Sequence, residues 1–205
     1  MSTLERGIKP LIYEMSRNGS REFITPAEMC DLAVWAHKTF MMYDQFCDPG
    51  DRRYPASEYR DFYEKRAITS DTHIFIAKSN SPYAGFGIWS DSRTLVPAGV
   101  DGAKYVREHG TNCGSAYLAI DGLVIFEQWF GANYPLHDLT AVMVREIPLR
   151  KMVAPGVHCI WPLPAKPLDW RRSRVIGADR TERARLALHA TMASLSVVAK
   201  RVEAP

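Results

Sequence analysis

Asp121-Gly122 stands between two apolar runs, residues 115–120 and Leu123–Phe130. Asp-Gly is a strong hairpin signal, because a type I′ turn needs positive φ at both central residues. A two-residue loop also fixes the register. Ile120 then faces Leu123, Leu118 faces Ile125 and Ala116 faces Glu127 on one side. On the other, Ala119 faces Val124, Tyr117 faces Phe126 and Ser115 faces Gln128. Both faces are apolar near the turn, so these strands are expected to be central and covered.

Other strands are expected at residues 73–77, 84–89, 141–147 and Val157–Trp161, with Ser79-Asn80-Ser81-Pro82 as a turn between the first two. A long loop is expected over residues 90–112. Ahead of the strands, Thr25-Pro26-Ala27-Glu28 spells a capping box with proline at the first helical position. It predicts a helix over residues 26–46, with Met29, Leu32, Ala36, Phe40, Tyr43 and Cys47 in one stripe and Trp35 and Met42 on a flank. A second helix is expected at 57–66, with Tyr59, Phe62 and Tyr63 inward. Asp179-Arg180-Thr181-Glu182 caps an expected last helix. The pattern is a single α+β domain over 1–205, with N-terminal helices, a central antiparallel β-meander and a C-terminal helix. Its parts are 1–70 helical, 71–162 sheet, 163–178 a basic Pro/Trp connection and 179–201 the closing helix.

Charge narrows the function classes. Lys+Arg total 26 against Asp+Glu 23, which excludes a histone-like polycation. The surplus is local, because residues 145–185 hold 10 basic and 4 acidic side chains, a net +6. The four cysteines, Cys30, Cys47, Cys113 and Cys159, form no Cys-x-x-Cys pair. That lacks the strong zinc signature and fits a reducing cytosol. Glu5, Arg6, Lys9 and Glu14 interrupt any signal-peptide core, and no apolar run reaches the roughly 18 residues of a membrane span. A cytoplasmic location and no membrane partner are therefore expected. No Walker loop, Gly-x-Gly-x-x-Gly, His-Glu-x-x-His or Gly-x-Ser-x-Gly occurs, so no cofactor is implied.

Three residues are candidates for catalysis. Cys113 would be a nucleophile if His109 or His158 served as its base. Glu127 lies mid-strand among apolar residues, where burial of an isolated carboxylate would raise its pKa. An arginine such as Arg145 would instead pair with it. A metal would need His109 with Cys113, or His158 with Cys159; the latter two are strand neighbours that point to opposite faces. Trp35 and Lys38 form a further motif on the long helix, with Asp31 the expected neighbour of Lys38. The candidate nucleic-acid surface is Arg150, Lys151, Trp161, Lys166, Trp170, Arg171, Arg172 and Arg174. Cations neutralise phosphates and indoles stack on unpaired bases.

The order of motifs resembles a bacterial and phage family often labelled HNH-endonuclease-like. The resemblance spans residues 4–175. It runs through Leu4-Glu5, Lys9-Pro10-Leu11-Ile12, Leu32-Ala33-x-Trp35-Ala36-x-Lys38-Thr39, and Tyr59, Phe62-Tyr63 and Arg66. It continues through Tyr117, Gly122 and Phe126 to Ile160-Trp161-Pro162 and Trp170. Members of that family commonly carry a Cys-x-x-Cys zinc-binding head, which this sequence lacks. The resemblance thus implies nuclease- or phage-defence-associated work without catalysis by this chain. The front half also resembles a GNAT acyltransferase. However, Gly131-Ala132-Asn133-Tyr134-Pro135 does not match the pyrophosphate loop of those enzymes.

The leading expectation is a non-catalytic module that binds nucleic acid or a nucleoprotein partner through residues 150–174. The alternatives are a small acyltransferase or hydrolase using Glu127, His109 or Cys113, and a protein-interaction module, including a homo-oligomer.

Overall fold

The structure is a computed structural model that describes residues 3–16, 20–49, 52–68, 72–80, 85–94, 96, 99–131 and 156–177. Its elements in chain order are α1 (Thr3–Ser16), β1 (Phe23–Ile24), α2 (Pro26–Asp44), α3 (Ala56–Lys65), β2 (Thr72–Ser79), β3 (Phe86–Arg93), α4 (Gly102–His109), β4 (Cys113–Ile120), β5 (Leu123–Phe130), β6 (Val157–Trp161), β7 (Leu168–Asp169) and β8 (Val175–Ile176). This is the expected α+β arrangement, with helices first and a mostly antiparallel sheet behind them. The expected strand at 141–147 and the closing helix at 179–201 lie outside the described residues.

The hairpin forms as its turn dictates. Asp121 and Gly122 both adopt positive φ, and Ile120↔Leu123, Leu118↔Ile125 and Ala116↔Glu127 pair in that register. Each face of the hairpin is covered. Ala116, Leu118, Leu123 and Ile125 join the main core, which holds residues of α1 and α2, while Ala119, Val124 and Phe126 pack with Phe75, Ala77 and Ile176.

The strand order is β3-β4-β5-β2-β6, with β8 running parallel beside the end of β2. So β2 and β3, consecutive in sequence, are not neighbours. β2 pairs with β5 and β6, whereas β3 pairs with β4. The simple meander expected from sequence order is corrected here. β2 is buried almost along its length, and the centre of the sheet gives it a partner on each side.

The capping box on α2 is present. Thr25 Oγ1 accepts from the Glu28 N–H at 3.3 Å, and Glu28 Oε2 accepts from the Thr25 N–H at 2.9 Å. The helix buries Met29, Leu32, Ala33, Ala36 and Phe40, each worth roughly 1.5–3 kcal/mol for the larger side chains. It ends at Asp44, two residues before the expected stop, which leaves Phe46 exposed. Tyr43 is only half-buried, while His37, Met41 and Asp44 are buried. Among the α3 aromatics, Phe62 is buried and Tyr59 half-buried, but Tyr63 is 69% exposed and does not point inward.

Two helices were not expected. α1 presents Ile8, Leu11 and Met15 to the core despite Pro10 in its interior. α4 occupies part of the span read as loop, and β3 extends to Arg93 within that span.

Candidate functional site

Glu127 sits on the helical face of the sheet, paired in register with Ile74 and Ala116, and is fully buried. Its partners come from the α2 layer. His37 Nδ1 is 2.7 Å from Oε2, Arg53 Nη2 is 3.0 Å from Oε1, and the Tyr54 hydroxyl donates to Oε1. Arg53 follows α2 and also donates to the Tyr54 hydroxyl. Asp44, at the end of α2, holds that connection. It accepts from the backbone N–H groups of Arg53 at 2.9 Å and Tyr54 at 3.2 Å, and from the Tyr59 hydroxyl at 2.5 Å. His37 makes edge contacts with Tyr54 and Phe62, and Tyr54 with Trp129. Two carboxylates therefore tie α2, its following loop, α3 and β5 together.

This environment corrects the expected electrostatics. Burial pushes the Glu127 carboxyl up, but His37 and Arg53, with hydrogen bonds from His37 and Tyr54, outweigh it and hold the carboxyl below its ordinary range. The expectation of a raised pKa fails because the carboxylate is not isolated. Its arginine is Arg53; Arg145 lies outside the described residues. Burial, with Glu127 beside it, pushes the Tyr54 phenol well above its ordinary value, so Tyr54 stays a donor at neutral pH.

The other catalytic candidates do not gather around Glu127. Cys113 is buried at the start of β4, paired with Phe130, whereas His109 is exposed at the end of α4. His158 is on β6, with β5 and β2 between it and β4. Strand spacing makes that about 14 Å, so His158 cannot act as a base for Cys113. Cys159 packs in the second core and donates to the Trp161 carbonyl at 3.1 Å, while the His158 ring faces Trp170. Among the described residues, no group of three or more His, Cys, Asp or Glu could hold a metal ion. His109 does line a cleft of about 700 Å³ between the α2–α3 connection and α4. Tyr54 lines it too, so Glu127 stands one hydrogen bond behind its wall.

Trp35 packs against the main core, and Lys38 pairs with Glu5 of α1 at 2.8 Å rather than with Asp31. This pair clamps α1 onto α2.

The basic connection is divided. Arg150 and Lys151 lie outside the described residues. Trp170 is fully buried and its indole N–H donates to the Met15 carbonyl at 3.3 Å, so it is not free to stack on a base. Trp161 is partly buried against the main core. Lys166, Arg171, Arg172 and Arg174 are exposed. Arg171 pairs with Glu22 at 2.7 Å, and Arg172 with Asp169 at 3.5 Å.

The exposed aromatic beside these arginines is Phe23, which the sequence did not single out. β1 and β7 pair antiparallel, Phe23 opposite Asp169, which sets Phe23 next to the turn carrying Arg171 and Arg172. Glu22, Phe23, Asp169, Arg171 and Arg172 line a groove of about 430 Å³. The Phe23 ring is 54% exposed, while Ile24 next to it is buried under the sheet. Period-two alternation in so short a strand gave no signal by itself.

No helix among the described residues is long and apolar enough to cross a membrane. Compared with models of protein families, with curated proteins and with solved structures, the chain matches none.

Proposed function

We propose that this domain is a non-catalytic nucleic-acid-binding module that takes single strands along the β1–β7 groove. The observation that carries the reading is the exposed Phe23 ring sharing a groove with Arg171 and Arg172. A phenyl ring stacks on an unpaired base, and guanidinium groups meet the flanking phosphates. The ion pairs to Glu22 and Asp169 do not oppose this strongly. Exposed pairs of that kind contribute about 0–1 kcal/mol, so they exchange readily for phosphate. Lys166 and Arg174 extend the cationic surface on the same connection. A nuclease- or phage-defence-associated setting is the one that the HNH-like resemblance suggests.

Binding of labelled single-stranded DNA, RNA and duplex DNA, each at low and physiological salt, tests this. Single strands should bind more tightly than duplex. Replacing Arg171, Arg172 and Arg174 together with Gln should reduce the log–log salt slope by about 2, at roughly 0.7 per lost single-strand contact. Phe23→Ala should weaken single-strand binding about tenfold or more while leaving the salt slope alone. Equal affinity for all three nucleic acids, or no effect of either substitution, sinks the reading.

A further inference from the structure

The groove along β1 and β7 pairs its cations with carboxylates, Glu22 and Asp169 beside Arg171 and Arg172. A surface built for phosphate alone gains nothing from carboxylates, which repel it. A base stacked on Phe23, by contrast, presents N–H donors at its edge, and a carboxylate is purely an acceptor.

Asp169 is the carboxylate placed to meet that edge. Phe23 lies opposite Asp169, and Ile24 opposite Leu168. Residues opposite each other share a face, with Cβ atoms about 4.5–5.5 Å apart. Ile24 and Leu168 pack with the main core, so Phe23 and Asp169 face outward together. The Asp169 side chain is 34% exposed, against 71% for Arg171 and 89% for Arg172, so it lies deeper than the guanidinium groups.

Asp169 is also held in place. Its Oδ1 accepts from the Arg172 backbone N–H at 3.0 Å, and its carbonyl accepts from the Ser173 hydroxyl at 3.0 Å. Trp170, next in the chain, is buried and anchored to the Met15 carbonyl. Across the strand pair, the Phe23 carbonyl accepts from Arg21 Nε at 2.8 Å. The loose contact is the one from Asp169 Oδ2 to Arg172 Nε, 3.5 Å long and on an exposed cation. When Arg172 turns to a phosphate, Oδ2 is released to accept, and Oδ1 keeps a second lone pair.

The chemistry of the bases then selects among them. Guanine carries adjacent donors, N1–H and the 2-amino group, which match the paired oxygens of a carboxylate. Adenine and cytosine present an amino group next to a ring-nitrogen acceptor, and thymine and uracil an N–H flanked by carbonyl oxygens. In each of these the second carboxylate oxygen would meet a lone pair. We propose that the Phe23 site prefers guanine, with Asp169 accepting from its N1–H and 2-amino group while the base stacks on Phe23 and the arginines take the adjacent phosphates. This specificity rests on the groove being a single-strand site.

Fluorescence anisotropy with labelled oligothymidines that carry one central guanine, inosine, adenine or cytosine tests it, with the all-thymine strand as reference. The guanine strand should bind about fivefold to a hundredfold more tightly than the adenine, cytosine and all-thymine strands, the range for a bidentate contact to a base. Inosine lacks only the 2-amino group, so it should lose most of that gain. Asp169→Asn keeps an acceptor for the Arg172 N–H, so the turn should survive, but it sets a donor where guanine needs an acceptor. Guanine and adenine strands should then bind alike. The proposal is overturned if single strands bind but guanine gains nothing over the other bases, if inosine matches guanine, or if a folded Asp169→Asn chain keeps the preference. The single-strand reading survives each of those results, whereas absence of binding to every strand overturns both.

Discussion

Replacing Glu127 with Gln exchanges one carboxylate oxygen for an amide NH2 at a buried position bonded to His37, Arg53 and Tyr54. The amide keeps an acceptor for the Tyr54 hydroxyl, but it removes the charge that faces Arg53 at 3.0 Å and His37 at 2.7 Å. Arg53 is fully buried, and its Nε and Nη1 atoms already lack partners, so among the described residues its charge loses its one ion-pair counterion. Breaking a buried pair from one side costs about 3–5 kcal/mol, since the surviving charge stays desolvated. For a chain of this size each kcal/mol moves Tm by about 2–4 °C, giving a loss of about 6–20 °C. The pH dependence has a definite sign. The folded carboxyl titrates below its ordinary range, so the unfolded state takes up protons first as pH falls. Its contribution is complete above the unfolded carboxyl value of about 4.3 and is lost as pH falls through the folded value. Urea unfolding of the parent and of Glu127→Gln between pH 3 and pH 8 measures both effects. The variant should be less stable at neutral pH, and its loss of stability with acid should be shallower. Equal midpoints at pH 7, or identical acid slopes, would refute the argument that this carboxylate is a charged structural tie.

Two further substitutions test the local rules. Gly122→Ala should cost about 1–3 kcal/mol, because Gly122 has φ of 89° and an added Cβ would lie 3.0 Å from the Ser79 carbonyl; equal urea midpoints would show that the turn relaxes freely. Thr25→Ala should cost about 1 kcal/mol through the lost capping box, with Thr25→Ser restoring most of it, and a smaller recovery by Ser than by Gly would contradict the capping account.

The candidate sites were legible in part. His109 does line a cleft, and Glu127 does occupy a buried, polar position. What made Glu127 informative was its place in a hairpin whose register is set by two turn residues. What misled was its environment, since nothing near it in the chain announces His37, 90 residues earlier, or Arg53. The tryptophans of the basic connection failed for a related reason. Trp170 follows an extended, proline-rich segment that reads as accessible, yet its indole fills the core against α1. Phe23 is the converse: a two-residue strand turns an ordinary aromatic outward beside distant arginines.

The sequence by itself determined the Asp121-Gly122 hairpin and its register, the start of α2 and the mixed α+β class. Each follows from φ preferences or hydrogen bonds acting within a few residues. Tertiary structure alone decided that β2 lies between β5 and β6, that α1 is a helix packed on the core despite Pro10, and which groups meet Glu127, Trp170 and Phe23. Those outcomes depend on which apolar faces cover one another across long stretches of chain. Packing selects among many pairings that local periodicity leaves equal.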